Sequence, residues 1–232
     1  MLAEALRYPL GGRAGRDAFA TCTGLVLAVL VLFRVGSALW PTPLVALPVV
    51  LALPPASLFA GYLGRVLSAD PGRSGAPPFA WSLGAFRVGL RLLVVASVYL
   101  LPAVVALFGT AFVLISGGGG SLLTIAPTVA LLVTVASVYV LPGALSAAVH
   151  RGLRAGFSRR SLGGLASGSY FFAWTVATSL VVVAWSALAT AGVATVAAVL
   201  GAVAVAYAHV VAARILGEGL FRSPWEPSPG GV

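Results

Sequence analysis

All 14 basic residues of this 232-residue chain are arginines, and all but Arg34 fall in four short clusters separated by long uncharged stretches. Arg7, Arg13 and Arg16 precede the first apolar run. Arg65, Arg73, Arg87 and Arg91 occupy one gap, Arg151, Arg154, Arg159 and Arg160 the next, and Arg214 and Arg222 close the chain. Residues 92–149 and 161–213 carry no full charge. This is the charge map of a polytopic membrane protein whose basic loops share one side of the bilayer. With 60% hydrophobic and only 8% charged residues, a water-soluble fold of this size could not hide its apolar surface. Lipid must be the solvent for most of it. The net charge of +9 therefore reads as an orientation signal and a contact for anionic headgroups, and nucleic acid is not expected as a partner.

Crossing the ~30 Å hydrocarbon core takes about 20 apolar residues, which sets the span count. Residues 18–40 make one span, and Pro41-Thr42-Pro43 then turns the chain. A second span covers about 44–64. The uncharged stretch 92–149 would reach about 87 Å as one helix, so it must fold back. Ser116 through Ser121, with four glycines between them, is the natural hinge. This predicts spans at about 92–116 and 121–149. The last long stretch divides into about 170–190 and 193–213, with the turn near Thr190-Ala191-Gly192. The expected fold is all-α, an integral membrane bundle of six transmembrane helices. Residues 1–17 form an N-terminal segment and residues 214–232 a tail, disordered towards its end.

With six spans, both termini and both basic loops fall on one side. By the positive-inside rule that side is the cytoplasm, and the expected location is the cytoplasmic membrane. Arg34 interrupts the first apolar run where a signal-peptide cleavage site would have to lie, so the first span is expected to be retained. Each basic loop also carries aromatics. Trp81 and Phe86 alternate with Arg87 and Arg91, and Phe157 is flanked by Arg151, Arg154, Arg159 and Arg160. Both loops predict short amphipathic interfacial segments whose arginines, Arg87, Arg91, Arg151, Arg154, Arg159 and Arg160, contact anionic lipid headgroups. The Phe…Ser-Leu-Gly order in both loops suggests an internal duplication, with units at about 44–116 and 121–190.

Chemistry-bearing residues are scarce. The acidic residues Glu4, Asp17, Asp70, Glu218 and Glu226 all fall outside the predicted spans, which argues against proton- or sodium-coupled transport through a mid-membrane carboxylate. No zinc-protease or nucleophile-elbow motif is present. Cys22 is the single cysteine and reads as a small apolar filler. His150 and His209 have no carboxylate or thiol near them in sequence, so no metal or cofactor is expected. Two residues stand out as candidates for polar function inside the membrane. Arg34 lies within the first span, where a guanidinium either contacts an anion or snorkels to the interface. His209 lies in the last span, near Tyr207. Prolines Pro48, Pro54, Pro55, Pro102, Pro127 and Pro142 interrupt spans two to four and kink them or free carbonyls.

Ala5-Leu6-Arg7-Tyr8-Pro9, Gly61 through Leu67, Pro77-Pro78-Phe79 with Trp81, Tyr99-Leu100-Leu101-Pro102 and Tyr170 through Trp174 together resemble a family of multi-pass membrane proteins, domain of unknown function 4013. The resemblance spreads over nearly the whole chain. It implies a helical membrane fold and supplies no activity, so no functional residue carries over. The resulting expectation is a multi-pass membrane protein that is not an enzyme and is structural or partner-binding within the membrane. The alternative is a permease-like protein or subunit for a neutral or lipidic solute. A polar cavity reaching mid-membrane among spans two to five would discriminate the two.

Overall fold

The computed structural model describes residues 2–70, 72, 75–117, 120–158, 165–190 and 195–221. Among these there are helices and connecting turns, and no strand. A short helix α1 (Leu2–Arg7) leads through a 3-10 turn into α2 (Gly12–Ala38). Then follow α3 (Ala46–Leu67), α4 (Leu83–Ile115), α5 (Leu122–Arg151), α6 (Gly168–Thr190) and α7 (Thr195–Phe221). Six helices are long and apolar enough to cross a membrane. The chain is thus an all-α helical membrane bundle.

The helix ends follow local chemistry. The Ser82 hydroxyl accepts from the Ala85 backbone N–H at 3.1 Å and starts α4. Gly117 and Gly120, both at φ 69°, turn the chain between α4 and α5, a left-handed conformation that costs other residues a Cβ clash. Prolines lie inside α3 (Pro54, Pro55), α4 (Pro102) and α5 (Pro127, Pro142).

Three helices overrun their predicted spans on the arginine side, and α2, expected from residue 18, already begins at Gly12 and carries Arg13 and Arg16. The third span, expected from residue 92, belongs to a helix that begins at Leu83 and carries Arg87 and Arg91 on its own first turns. The segment around Phe86, expected to lie separately at the interface, is the start of that helix. The last helix does not end at residue 213 but continues to Phe221 through Arg214 and Glu218. The physical reason is the same in all three: a charge ends the hydrocarbon crossing, whereas only a broken backbone ladder ends a helix. The N-terminal segment also has structure. Ala5, Tyr8 and Pro9 are buried, and the Tyr207 hydroxyl donates to the Leu6 carbonyl.

Small residues decide the packing. Ala202, Val205, Ala206, Ala208 and Val210 of α7 meet Ala18, Cys22 and Val26 of α2, Tyr62 and Val66 of α3 and Ala184 of α6. On another face of α7, Val211, Ala212 and Ile215 meet Ala173 and Ala177 of α6 and Ala5 of α1. α3 and α4 touch backbone to backbone: a Cβ on Gly89 would collide with the Ser57 carbonyl, and one on Gly61 with that of Ala85. Such approaches are the usual device for joining helices where lipid offers no hydrophobic drive. Farther out, α4 and α5 form a hairpin seated on Leu92, Val95, Ala144 and Ala148. Its outer half, with Phe108, Phe112, Ile115, Leu131 and Leu132, is exposed.

The two expected repeats do not pack alike. α3 and α4 press together at Gly61 and Gly89, whereas α5 and α6 scarcely approach each other along their backbones. They are joined through side chains, where Tyr170 donates to the Tyr139 carbonyl and Trp174 to that of Val138 at 3.1 Å.

Candidate functional site

A half-open crevice of about 540 Å³ lies between α3, α4 and α5 on one side and α6 and α7 on the other, a size usual for small-molecule sites. It exists because α5 turns its small residues towards α4 and the returning 3-10 turn Leu153–Phe157. Gly156 packs against Ala144, Ala148 and Val95, and Tyr99 donates to its carbonyl at 2.9 Å. With α5 held on α4 and α6 held on α7, the rings of Tyr139, Tyr170 and Trp174 meet across the space between the pairs. The lining on α3 and α4 comes from residues 60–67 and 92–96. The crevice therefore sits in the half of the bundle nearer the arginine-bearing loops.

Its wall is almost wholly hydrocarbon and bears no charged side chain among the described residues. Apart from the indole of Trp174, its polar side chains are Thr134, Thr178 and His209. Thr134 is satisfied within its own helix, donating to Ala130 O at 2.7 Å. The His209 ring is held between Phe59 and Trp185, centroids 5.8 and 6.2 Å away, and its Nδ1 lies 2.8 Å from the Val205 carbonyl. A carbonyl only accepts, so Nδ1 carries the proton. In the neutral ring Nε2 is then an open lone pair.

Of the residues singled out in the sequence, the crevice takes in only His209. Arg34 is exposed near the far end of α2 and contributes to no ion pair among the described residues. Arg87 and Arg91 on α4, Arg151 at the end of α5 and Arg154 in the turn after it are all exposed at one end of the hairpin. Arg159 and Arg160 lie outside the described residues, as do Arg73, the glycines 118–119, residues 191–194, where the sequence predicts a turn, and residues 222–232. Arg65 instead ties down the first loop, donating to Pro78 O at 3.1 Å. No group of histidine, cysteine and carboxylate side chains able to hold a metal ion occurs among the described residues.

Sequence reasoning missed a second polar cluster. Arg214 and Glu218, 4% and 6% exposed, pair at 3.0 Å across one turn of α7. The guanidinium also donates to Asp70 O at 3.0 Å and lies 4.7 Å above the Tyr8 ring. This ties α7, the first loop and the N-terminal segment together. The Arg-x-x-x-Glu spacing of the pair was the available signal.

The family description that matches residues 44–193 of this chain is protein of unknown function (DUF4013). The chain belongs to that family. The match spans α3 to α6 and hence most of the crevice wall, while His209 comes from α7, outside it. No curated protein and no solved structure matches the chain.

Proposed function

We propose that this family member is a membrane-embedded, non-enzymatic binding protein that takes an apolar molecule, or the hydrocarbon part of a lipid, into the crevice between α3–α5 and α6–α7. The observation that carries this reading is the chemistry of the wall: almost wholly hydrocarbon, with a handful of uncharged polar groups and, among the described residues, no carboxylate to couple ions. A protein that moved a polar solute would have to replace the solute's hydration inside the membrane, and this wall cannot do so. In this proposal the arginine-bearing end faces the cytoplasm. There Arg87, Arg91, Arg151 and Arg154 meet anionic headgroups, each contributing about 1 kcal/mol near the surface.

A diazirine-bearing alkyl lipid tests the binding reading. Crosslinks should map to the crevice residues Leu93, Val138 and Leu141. Labelling confined to the outer hairpin around Phe108 and Leu131 would refute it. Reporter fusions at Ser158 and after Phe221 should report cytoplasm and one at Gly120 the opposite side. A cytoplasmic Gly120 would overturn the orientation.

Pro142, which lines the crevice and interrupts α5, favours a second reading, a permease-like protein for a lipidic solute. A proline inside a helix at a crevice wall, which removes a backbone hydrogen bond, marks a place where the wall can open. Movement of a fluorescent alkyl lipid between leaflets of proteoliposomes, absent from empty vesicles, would select that reading over binding alone.

A further inference from the structure

Two polar atoms in the crevice wall are left open. The Nε2 of His209 has no hydrogen-bond partner among the described residues, its Nδ1 being engaged with Val205. The Thr178 hydroxyl makes no hydrogen bond there either, although several threonines on the same and neighbouring helices satisfy themselves. Thr175 donates to Phe171 O at 2.9 Å, Thr134 to Ala130 O at 2.7 Å and Thr110 to Ala106 O at 2.9 Å. That back-bond is open to any threonine in a helix, so a threonine without it in an apolar wall is available to something else. Neither atom is among the fully buried unpaired groups, which include Ser57 Oγ. Both therefore keep some exposure and are not sealed in the core, and both residues line the crevice.

The two groups share one wall. Ala173 lies against Gly219 and Leu188 against Gly201, and this antiparallel register of α6 and α7 puts Thr178 within about one helical turn, ~5 Å, of His209 in depth. One is an acceptor and the other both donor and acceptor. No charged side chain joins them in the wall among the described residues, so an ionised headgroup would be buried there without a counter-charge, at prohibitive cost.

We propose that the crevice is specific for a hydroxylated hydrocarbon, a long-chain lipid alcohol. Its hydroxyl enters the bundle, donates to His209 Nε2 and accepts from Thr178, while its chain lies along the wall made by Leu93, Val138 and Val181. This rests on the crevice binding an apolar molecule at all and adds the group that is recognised. A hydroxyl fits because it donates and accepts at once. An ether can only accept, an alkane does neither, and a carboxylate brings a charge the wall cannot balance.

Native mass spectrometry of the whole protein, released from detergent in the presence of an equimolar long-chain primary alcohol and its methyl ether, tests this directly. The wild type should retain the alcohol over the ether by about fivefold, the worth of roughly one net hydrogen bond. Thr178→Val, which keeps the shape, should reduce that ratio, and Thr178→Val with His209→Phe should bring it to unity. Comparing ratios between variants cancels the unequal partition of the two probes into detergent. If His209→Phe fails to fold, Thr178→Val alone still decides. Equal retention by the wild type, or a ratio unmoved by Thr178→Val, overturns the hydroxyl assignment and leaves the crevice as a site for hydrocarbon. Retention of neither probe overturns the binding reading itself.

Discussion

The helices α5 and α7 are almost equally apolar, with mean hydropathies of 2.0 and 2.1 over their most apolar stretches, yet 6% of that stretch is buried in Leu123–Arg151 and 50% in Val196–Phe221. Hydropathy therefore selects the membrane and says nothing about position within the bundle. Residue size does. α7 offers Gly201, Ala202, Ala206, Ala208, Ala212, Ala213, Gly217 and Gly219, and neighbours come close enough that a Cβ on Gly217 would stand 2.5 Å from Leu67 O. The outer part of α5 offers Val129, Leu131, Leu132 and Val135, all exposed, and lipid is an adequate partner for them. The crevice is the seam between these two ways of meeting lipid.

The contrast is broken most severely at the Arg214–Glu218 pair. Removing one partner leaves a buried charge behind, so Arg214→Met or Glu218→Gln should each lower stability by about 3–5 kcal/mol, read as a large fall in thermal midpoint in detergent. The double replacement by methionines should recover much of that loss. Two silent single variants would mean that the end of α7 is wet. The next largest effect is at glycine. Gly217→Val forces a methyl-bearing Cβ against backbone and should cost about 1–3 kcal/mol. Gly109→Ala in the outer hairpin, where a Cβ meets nothing within 4 Å, should gain about 0.5–1 kcal/mol from helix propensity alone. Comparable losses at both positions would erase the distinction between core and periphery.

Smaller effects sharpen it. Ser57 is wholly buried at the α3–α4 contact with its hydroxyl unpaired, so Ser57→Ala should be neutral or stabilise by up to about 1 kcal/mol. A clear loss would reveal a hydrogen bond to a lipid or a water. Leu131→Ala exchanges one lipid contact for another and should stay within about 0.5 kcal/mol in a melting assay. Least of all, Arg34→Leu should leave expression and fusion-reporter topology unchanged. A collapse in folded protein would show that the guanidinium is held inside an assembly.

The membrane character, the six long helices and the break points at Pro41–Pro43 and Ser116–Ser121 were readable in advance, because each depends on a local quantity: apolar length, charge or a missing backbone donor. Charge density places Arg214 in the tail and Leu83–Arg91 in an interfacial loop because it marks where hydrocarbon ends, whereas the helices run on. His209 could be picked out as a lone polar residue in an apolar run. Thr178 could not, since the chain holds many threonines and only the fold shows which of them lacks its usual bond.

Composition and the spacing of arginines are sufficient for a helical membrane bundle, since lipid forces every backbone group to pair within its own segment and charge must leave the hydrocarbon. Which helix becomes the axis, where two pairs of helices part to leave a crevice, and which polar atoms face into it were decided only by tertiary packing. The reason is that these depend on distances between residues far apart in the chain. Gly217 meets Leu67, Tyr99 meets Gly156 and Tyr207 meets Leu6, and in a sequence whose helices are so nearly equal in hydropathy, no local signal ranks such pairings.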